Sequence, residues 1–325
     1  MTTRIELLRL LADGGFHSGT DMGRALGVTR AAVCKGVKGL AAAGVEIHRV
    51  TGRGYRLATQ LAPLDERVIR KRLAAAGFEW RGRLEILEEV DSTNRYLLER
   101  ARDAASGHVC LAEAQPCGRG RRGRNWVTTP YHNLMLSIAW RFQSGPGMVA
   151  GLALAAGVAL TRALEEYGVD GARLKWPNDV LWNGRKLAGL LADVEGEAAG
   201  PCRVVLGVGV NGYIAERDGA RIDQPWVDLQ TITGASVDRN RLAALVIGQL
   251  ARTCEKFGAH GFAPFQAEWE RRHLYAGRPV RLMQGETVHR GTVAGIDDSG
   301  ALLLRDAQGR TRAFYSGDIS LRPAA

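Results

Sequence analysis

Cysteine is scarce: only Cys34, Cys110, Cys117, Cys202 and Cys254 occur in 325 residues, odd in number, far apart and never as a CxxC pair. That argues against a disulfide framework or a cysteine zinc site and points to a reducing compartment. No stretch approaches the roughly 20 uncharged apolar residues of a membrane-spanning helix. The opening Met1-Thr2-Thr3-Arg4-Ile5-Glu6 shows no secretory apolar core, so a cytoplasmic protein without a membrane partner is expected. Repeats and low-complexity tracts are lacking too. One scarcity is local: no Asp or Glu lies between Glu113 and Glu165.

Apolar residues make up 46% of the chain, enough for two or three cores. Positive charge is in excess, with a formal net charge of +10, and it is concentrated. Residues 1–60 hold nine Lys/Arg against four acids, and residues 118–124 add four arginines without an acid. Two local basic sites indicate two anionic ligands rather than a generally adhesive surface.

The first segment, 1–62, reads as three helices and a hairpin. Ile5, Leu7, Leu8, Leu10 and Leu11 give a helical apolar face that ends at Asp13-Gly14-Gly15. Ser18 opens a second short helix through Ala25, and Gly27 makes the turn. Thr29 caps a third helix from Arg30 to about Leu40, with Ala31, Val33, Val37 and Leu40 expected to face inward. Residues 45–50 and 54–57 alternate around Thr51-Gly52-Arg53-Gly54, a hairpin pattern. This is a winged helix-turn-helix, and Arg30, Lys35, Lys38, Arg49 and Arg53 are its candidate DNA contacts. A small helical adaptor with a solvated basic face is the plainer alternative. Gly36 and Gly39 inside the third helix weaken it by up to about 1 kcal/mol each, which counts against strong readout.

Pro63 opens a mixed segment, 63–277. Helices are expected at 66–75, after Asp91-Ser92-Thr93-Asn94, and at 148–167, 241–257 and 264–272. Strands are expected at 84–90, 109–115, 133–141, 173–176, 186–194 and 203–210, which suits an α/β domain on a mixed sheet. The last segment, 278–325, has short alternating strands separated by Gln284-Gly285, Asp298-Ser299-Gly300 and Gln308-Gly309, as in a small β-barrel. The fold class is α+β multidomain.

Gly118-Arg119-Gly120-Arg121-Arg122-Gly123-Arg124 fits GxGxxG after a strand, but its context is wrong for a dinucleotide fold. No periodic helix follows, and the ribose-binding acid expected about 20 residues on is missing. Glycines let the backbone approach a ligand closely, and the guanidiniums offer forked donors to phosphate or carboxylate. A solvated basic loop is the bland alternative. Lys175-Trp176-Pro177-Asn178-Asp179 and Arg185-Lys186-Leu187-Ala188-Gly189 form the second cluster, with Pro177 expected to end a strand and hold Asn178 and Asp179 in a turn. Taken singly, each lysine fits a surface position better than a site. Asp91-Ser92-Thr93-Asn94 is an ordinary helix N-terminus that also offers hydroxyls and free N–H groups. Gly207-Val208-Gly209-Val210-Asn211 ends a strand with two side-chain-free positions where a ligand fits against backbone.

Taken in order, DSTN (91–94), AEAQ (112–115), GRGRRGRNW (118–126), KWPND (175–179), RKLAGLL (185–191) and GVGVN (207–211) resemble the biotin–protein ligases. The N-terminal helix-turn-helix ending in Gly52-Arg53-Gly54-Tyr55, with Gly300-Ala301-Leu302-Leu303-Leu304 and Asp318-Ile319-Ser320-Leu321-Arg322, resembles the bifunctional subclass, the biotin operon repressors. The resemblance implies a central domain like that of class II aminoacyl-tRNA synthetases and an SH3-like C-terminal barrel. It implies that Ser92, Thr93, Asn94 and Gln115 hydrogen-bond biotin, that Arg119, Gly120 and Arg121 contact biotin and adenylate, and that Lys186 sits at the reacting carboxylate and α-phosphate. Arg122, Arg124, Trp126, Asn178 and Arg322 fall to the nucleotide, and Asp179 to the acceptor lysine. One departure is visible: Phe314-Tyr315 stands where a tryptophan is expected.

The implied catalytic set is Lys186, Arg121 and Asp179, using ATP, Mg2+ and biotin, with no protein metal ligands identified. The implied partners are the biotin carboxyl carrier protein of acetyl-CoA carboxylase, operator DNA, and a second copy of the chain in an adenylate-bound homodimer. Two rivals stand beside it: a lipoate–protein ligase-like acyl ligase, against which the arginine-rich loop speaks, and a biotin-sensing repressor without catalysis, which would not need Lys186 and Arg121.

Overall fold

The computed structural model describes residues 4–100, 105–196, 200–315 and 319–323. Its first unit follows the sequence punctuation closely. Helices α1 (Arg4–Leu11), α2 (Gly19–Leu26) and α3 (Arg30–Ala42) precede the hairpin of β1 (Ile47–Val50) and β2 (Gly54–Leu57). Ser18 caps α2 by accepting the Asp21 N–H, and Thr29 caps α3 by accepting the Ala32 N–H. Gly27 closes α2 in the left-handed region at φ 66°. Leu7, Leu8, Leu11, Met22, Val33, Val37 and Leu40 bury together.

One inward reading changes here. Ala31 is exposed; at 100° per residue it lies about 200° around the helix from Val33, so both cannot face the core. Gly36 does face inward: a Cβ there would stand 2.2 Å from Leu7 Cδ1. Its glycine lets α1 and α3 approach closely.

The central unit runs α4 (Glu66–Ala75), β3 (Leu84–Glu89), α5 (Thr93–Arg100), β4 (His108–Ala114), β5 (Leu134–Phe142), α6 (Leu152–Tyr167), β6 (Arg173–Lys175), β7 (Asp179–Trp182), β8 (Arg185–Gly196) and β9 (Cys202–Val210). It closes with α7 (Glu216–Gly219), α8 (Leu229–Thr233), α9 (Arg239–His260) and α10 (Ala263–Arg272). The sheet order is β3-β4-β5-β9-β8-β7-β6, parallel only between β3 and β4. Both faces are covered. Val109, Leu111, Ile138, Val204 and Leu206 join α6 and α9 in the main core, while Cys110, Ala139 and Val205 meet Leu97 of α5 on the other side. The period of two along each strand explains this division.

Two boundaries differ from the sequence reading. The helix expected at 148–167 begins as a 3-10 turn, Pro146–Val149, and becomes α-helical at Leu152. The turn around Pro177, which follows a cis Trp176–Pro177 bond, covers only 176–178. Asp179 therefore opens an unanticipated strand, β7, instead of sitting in the turn. Asn183 and Gly184 then take φ 46° and 74° and return the chain into β8.

The C-terminal unit is an antiparallel sheet of β10 (Pro279–Gln284), β11 (Thr287–Ile296), β12 (Leu302–Arg305), β13 (Thr311–Phe314) and β14 (Ile319–Pro323), in the order β13-β12-β11-β10-β14. Phe314 is buried and Tyr315 exposed, so one of the two aromatics fills the apolar position. Asp318 of the C-terminal motif lies outside the described residues. Among the described residues no helix is long and apolar enough to cross a membrane.

Candidate active site

The site is a cleft of about 340 Å³ over the C-terminal end of β9 and the start of β8. Its floor is made by Gly189 and Gly209, direct partners across β8 and β9. A Cβ at Gly209 would stand 2.6 Å from Trp126 Cε2, and one at Gly189 would stand 3.1 Å from Trp126 Cζ3. The indole therefore rests where side chains are missing. Gly207 plays the same part for Asn94, whose Oδ1 lies 2.2 Å from where its Cβ would be. The glycines of 207–211 thus seat two protein side chains of the site and themselves line the cleft.

Trp126 is delivered by the arginine loop, which folds back on itself. The Trp126 N–H donates to Gly118 O at 2.7 Å, the Gly120 N–H to Arg124 O at 2.7 Å, and the Arg124 N–H to Arg121 O at 3.3 Å. Arg122 and Gly123 take successive left-handed conformations, φ 61° and 68°. For an arginine this is unusual backbone. Arg119, Gly120, Arg121 and Arg124 line the cleft. Arg122, grouped with them on sequence, is exposed and is not among the lining residues.

At one end of the cleft stand Ser92, Thr93 and Asn94, all buried at the start of α5. The Thr93 N–H donates to Gln115 Oε1 at 2.6 Å. The Ser137 hydroxyl lies between Thr93 Oγ1 and Asn94 Oδ1; its single proton serves one of them, so the Thr93 hydroxyl can donate in return. Asn94 Nδ2 donates to Asp193 Oδ2 at 2.9 Å and to Leu191 O at 3.2 Å. Asn94 is thereby tied to the protein on both sides of its amide.

At the other end, Asp179 bridges two lysines. Its Oδ1 lies 2.7 Å from Lys186 Nζ and its Oδ2 4.0 Å from Lys175 Nζ. Burial lowers the Lys175 pKa, and the charges of Arg322, Lys186 and Arg124 lower it further, against the opposing pull of Asp179. Lys186 Nζ is also 5.3 Å from the Trp126 ring centroid. Asn178 donates through Nδ2 to Leu190 O at 2.6 Å, and its Oδ1 accepts from Arg121 Nη1 at 3.5 Å. Arg322 is exposed and outside the cleft lining; it reaches the site through its charge on Lys175.

A further wall was not foreseen. Arg221, Ile222, Asp223, Gln224 and Trp226 line the cleft from the segment after α7. The Lys186 N–H donates to Pro225 O at 2.9 Å and the Val227 N–H to Lys186 O at 3.0 Å, so this segment runs beside the start of β8. Thr129 holds its root, donating to Asp218 Oδ2 at 2.7 Å and accepting the Ala215 N–H at 2.9 Å. Nothing local in 221–226 signals this contact. Among the described residues no group of three His, Cys, Asp or Glu is placed to hold a metal ion. Away from the cleft, Arg30, Lys35, Lys38, Arg49 and Arg53 are all exposed on α3 and the hairpin. The Arg53 and Arg56 guanidiniums stack on the Phe16 ring at 4.3 and 4.8 Å from its centroid.

Residues 86–211 match the biotin/lipoate A/B protein ligase family, residues 275–322 the biotin protein ligase C-terminal domain, and residues 3–56 a helix-turn-helix domain. The chain is 39% identical over 323 residues to the bifunctional ligase/repressor BirA of Escherichia coli, covering 99% of this chain and 98% of that protein. It is 40% identical over 266 residues to the biotin–[acetyl-CoA-carboxylase] ligase of Mycobacterium tuberculosis, covering 79% of this chain and 95% of that one. Among solved structures, the biotin protein ligase from Aquifex aeolicus in complex with biotin and ATP superposes with a TM-score of 0.63 at 29% identity, covering 74% of this chain and 99% of that chain.

Proposed function

The chain belongs to the family of bifunctional biotin protein ligases and repressors, and from that premise we propose how its cleft carries out the two steps of biotin transfer. Biotin's carboxylate attacks the α-phosphate of ATP, giving biotinyl-5′-AMP and pyrophosphate. The ε-amine of a lysine on the biotin carboxyl carrier protein then attacks the mixed anhydride and AMP leaves. The substrate itself is the first nucleophile, so positioning and charge carry the catalysis.

The observation that carries this reading is the Asp179-bridged lysine pair, of which Lys186 lines the cleft together with Arg119, Arg121 and Arg124 of the arginine loop. Lys186, with Arg121 and Arg119 beside it, neutralises charge developing at phosphorus. Ser92, Thr93 and Gln115 hold the biotin ring system, with Asn94 fixing the start of α5 beneath them. Arg124, Trp126, Asn178 and Arg322 serve the nucleotide. Asp179 already holds two ammonium groups, which favours orienting Lys186 and the incoming amine over acting as a free base. Mg2+ would be carried on the nucleotide phosphates, where it shields charge; among the described residues no group of acids forms a cage for it.

Incubation with biotin, Mg·ATP and a carrier domain is expected to label one carrier lysine, and Lys186→Ala to slow adenylate formation by about 10²–10³. Absence of labelling by the wild type would reject the ligase; equal rates for Lys186→Ala would remove Lys186 from the mechanism. The exposed cations of α3 and the hairpin support a repressor that binds a palindromic operator as an adenylate-linked homodimer. Footprinting upstream of biotin-synthesis genes, with biotin and ATP present, tests this; no protection would reject it.

A further inference from the structure

Behind the Thr93 end of the cleft, Ser137 stands in the middle of β5, fully buried, and it does not itself line the cleft. Its direct partners across the sheet are Cys110 on β4 and Gly207 on β9. Directly paired residues share a face, and on this face Cys110 packs with Leu97, Ala139 and Val205. A hydroxyl in such apolar surroundings is costly unless its hydrogen bonds are made. An alanine would fill the place more cheaply, so packing alone does not call for a serine.

The direction of each hydrogen bond follows outward from Asp193. One end of the Asn94 amide faces three acceptors: Asp193 Oδ2 at 2.9 Å, Leu191 O at 3.2 Å and Val205 O at 3.4 Å. Two of these are carbonyls that can only accept, so that end is the NH2 group. Asn94 Oδ1 therefore points at Ser137 Oγ, 2.5 Å away. An amide oxygen only accepts, and Ser137 is its one donor among the described residues. The Ser137 proton thus lies on that bond.

Ser137 Oγ and Thr93 Oγ1 are 2.7 Å apart. With the Ser137 proton already placed, the proton between these two oxygens belongs to Thr93. The Thr93 hydroxyl, turned inward, shows the cleft lone pairs only. Gln115 is fixed the opposite way. Its Oε1 accepts the Thr93 N–H at 2.6 Å, which leaves its Nε2 hydrogens as the donors it offers the cleft.

We propose that Ser137 is a positioning residue that sets substrate specificity: pinned through Asn94 by Asp193, it holds Thr93 as an obligate acceptor beside the donor Gln115. The proposal rests on the ligase reading. The pair matches a cyclic urea, in which an N–H adjoins a C=O, and that is the ring chemistry of biotin. A ring with oxygen in place of that N–H meets lone pair with lone pair, and a dithiolane offers neither group.

The test measures kcat/KM for pyrophosphate release by the full chain with ATP and three acids. These are biotin and the two cyclic-carbamate analogues in which one ring N–H or the other is oxygen. Wild type is expected to prefer biotin over at least one carbamate by about 10²-fold or more, because an unmatched buried polar group opposes binding. Ser137→Ala frees the Thr93 proton to turn toward the ring oxygen, so that preference should fall about tenfold. Ser137→Thr keeps the hydroxyl and should keep the preference. Asp193→Ala, at a partly exposed position, loosens the Asn94 amide and should lower the preference by about threefold; it decides the matter if Ser137→Ala does not fold. A merely structural Ser137 would lower kcat/KM for all three acids alike. A preference within twofold of wild type in Ser137→Ala and Asp193→Ala overturns the proposal, as does a wild type that uses both carbamates as well as biotin. A wild type that releases no pyrophosphate with biotin and ATP overturns the ligase reading as well; normal release with an unchanged preference overturns this proposal alone.

Discussion

The two end units are joined to the central domain in different ways. Among the described residues the C-terminal sheet has no separate core: Val280, Leu282, Ile296, Leu302 and Leu304 belong to the same buried cluster as Leu154, Trp176, Phe265 and Trp269. The winged helix has its own cluster, which takes in a single side chain from the central domain, Tyr131, 1% exposed and held at φ 65°. Its other links are polar, including Arg4 with Glu88 at 2.6 Å, Arg9 with Asp65 at 3.4 Å, and Arg217 with Ala42 O at 3.4 Å. Shared apolar burial makes one cooperative body, whereas partly exposed ion pairs contribute about 0–1 kcal/mol each. The sheet is therefore part of the catalytic body, and the winged helix is a module that can reorient.

The largest test of that contrast lies where the linker meets the central domain. Arg239 and Glu113, 1% and 0% exposed, form a buried ion pair. Glu113 Oε1 accepts the Leu64 N–H at 2.6 Å, and Arg239 Nη2 donates to Ala62 O at 2.8 Å. Arg239→Met leaves a buried carboxylate without its partner and is expected to cost about 3–5 kcal/mol. Calorimetry should show the central domain and C-terminal sheet losing stability together, with the winged-helix transition moved less. A single transition shifted uniformly would mean that the winged helix is not separable.

Acid should act on both seams. His132, beside Tyr131, is pushed down by burial to about 4, and His273, beside the C-terminal sheet, to about 3. Each binds a proton more readily when unfolded, at about pH 6.5. Their stabilising contribution is therefore complete above about pH 6.5 and declines as pH falls. The decline from His132 ends near pH 4, whereas that from His273 continues toward pH 3. His273→Gln should flatten the acid limb of the main transition and His132→Gln should flatten less of it. Unfolding midpoints between pH 7 and 4 that are the same in wild type and His273→Gln would reject the assignment.

A matched pair of methyl insertions comes next. Gly300, at φ 81°, sits where a Cβ would meet Leu154 Cδ1 at 2.8 Å and Gly151 Cα at 3.2 Å. Gly36 sits where it would meet Leu7 Cδ1 at 2.2 Å. Each alanine is expected to cost about 1–3 kcal/mol from overpacking, with Gly300→Ala at the upper end because its backbone is left-handed. Gly300→Ala should impair adenylation through Trp176, and Gly36→Ala should weaken operator binding while carrier labelling persists. The reverse pattern would break the comparison.

These seams also mark where sequence reading succeeds. Helix starts were legible because Ser18 and Thr29 sit as caps ahead of apolar periodicity. The arginine loop was legible because glycine and arginine are dense in 118–124, whereas Lys186, Ser92, Thr93, Asn94 and Gln115 stood out only through the order of motifs along the chain. The strand β7 was hidden by Pro177, although Asn183-Gly184 ahead of Arg185 is a hairpin signal that would have revealed it. The wall 221–226 and the place of Tyr131 depend on contacts between distant segments, for which no local pattern exists.

The smallest effect belongs to the contact nearest both functions. Arg217 lies in α7, directly before the wall 221–226, and its Nη1 donates to Ala42 O at the end of α3. A cation there favours the exposed carbonyls of a helix C-terminus, with a contribution of about 0.3–1 kcal/mol. Gly44 leaves room for it, since a Cβ at that position would stand 2.4 Å from Arg217 Nη2. Arg217→Ala is therefore expected to leave the unfolding midpoints and adenylation rate nearly unchanged. It should speed amide exchange in the last turn of α3, because one carbonyl there loses a charged donor while the helix body keeps its core. An equal acceleration at the N-terminal turn of α3 would point to loosening of the whole winged helix. No change anywhere in α3 would mean that the polar links merely border the two units, leaving Tyr131 to join them.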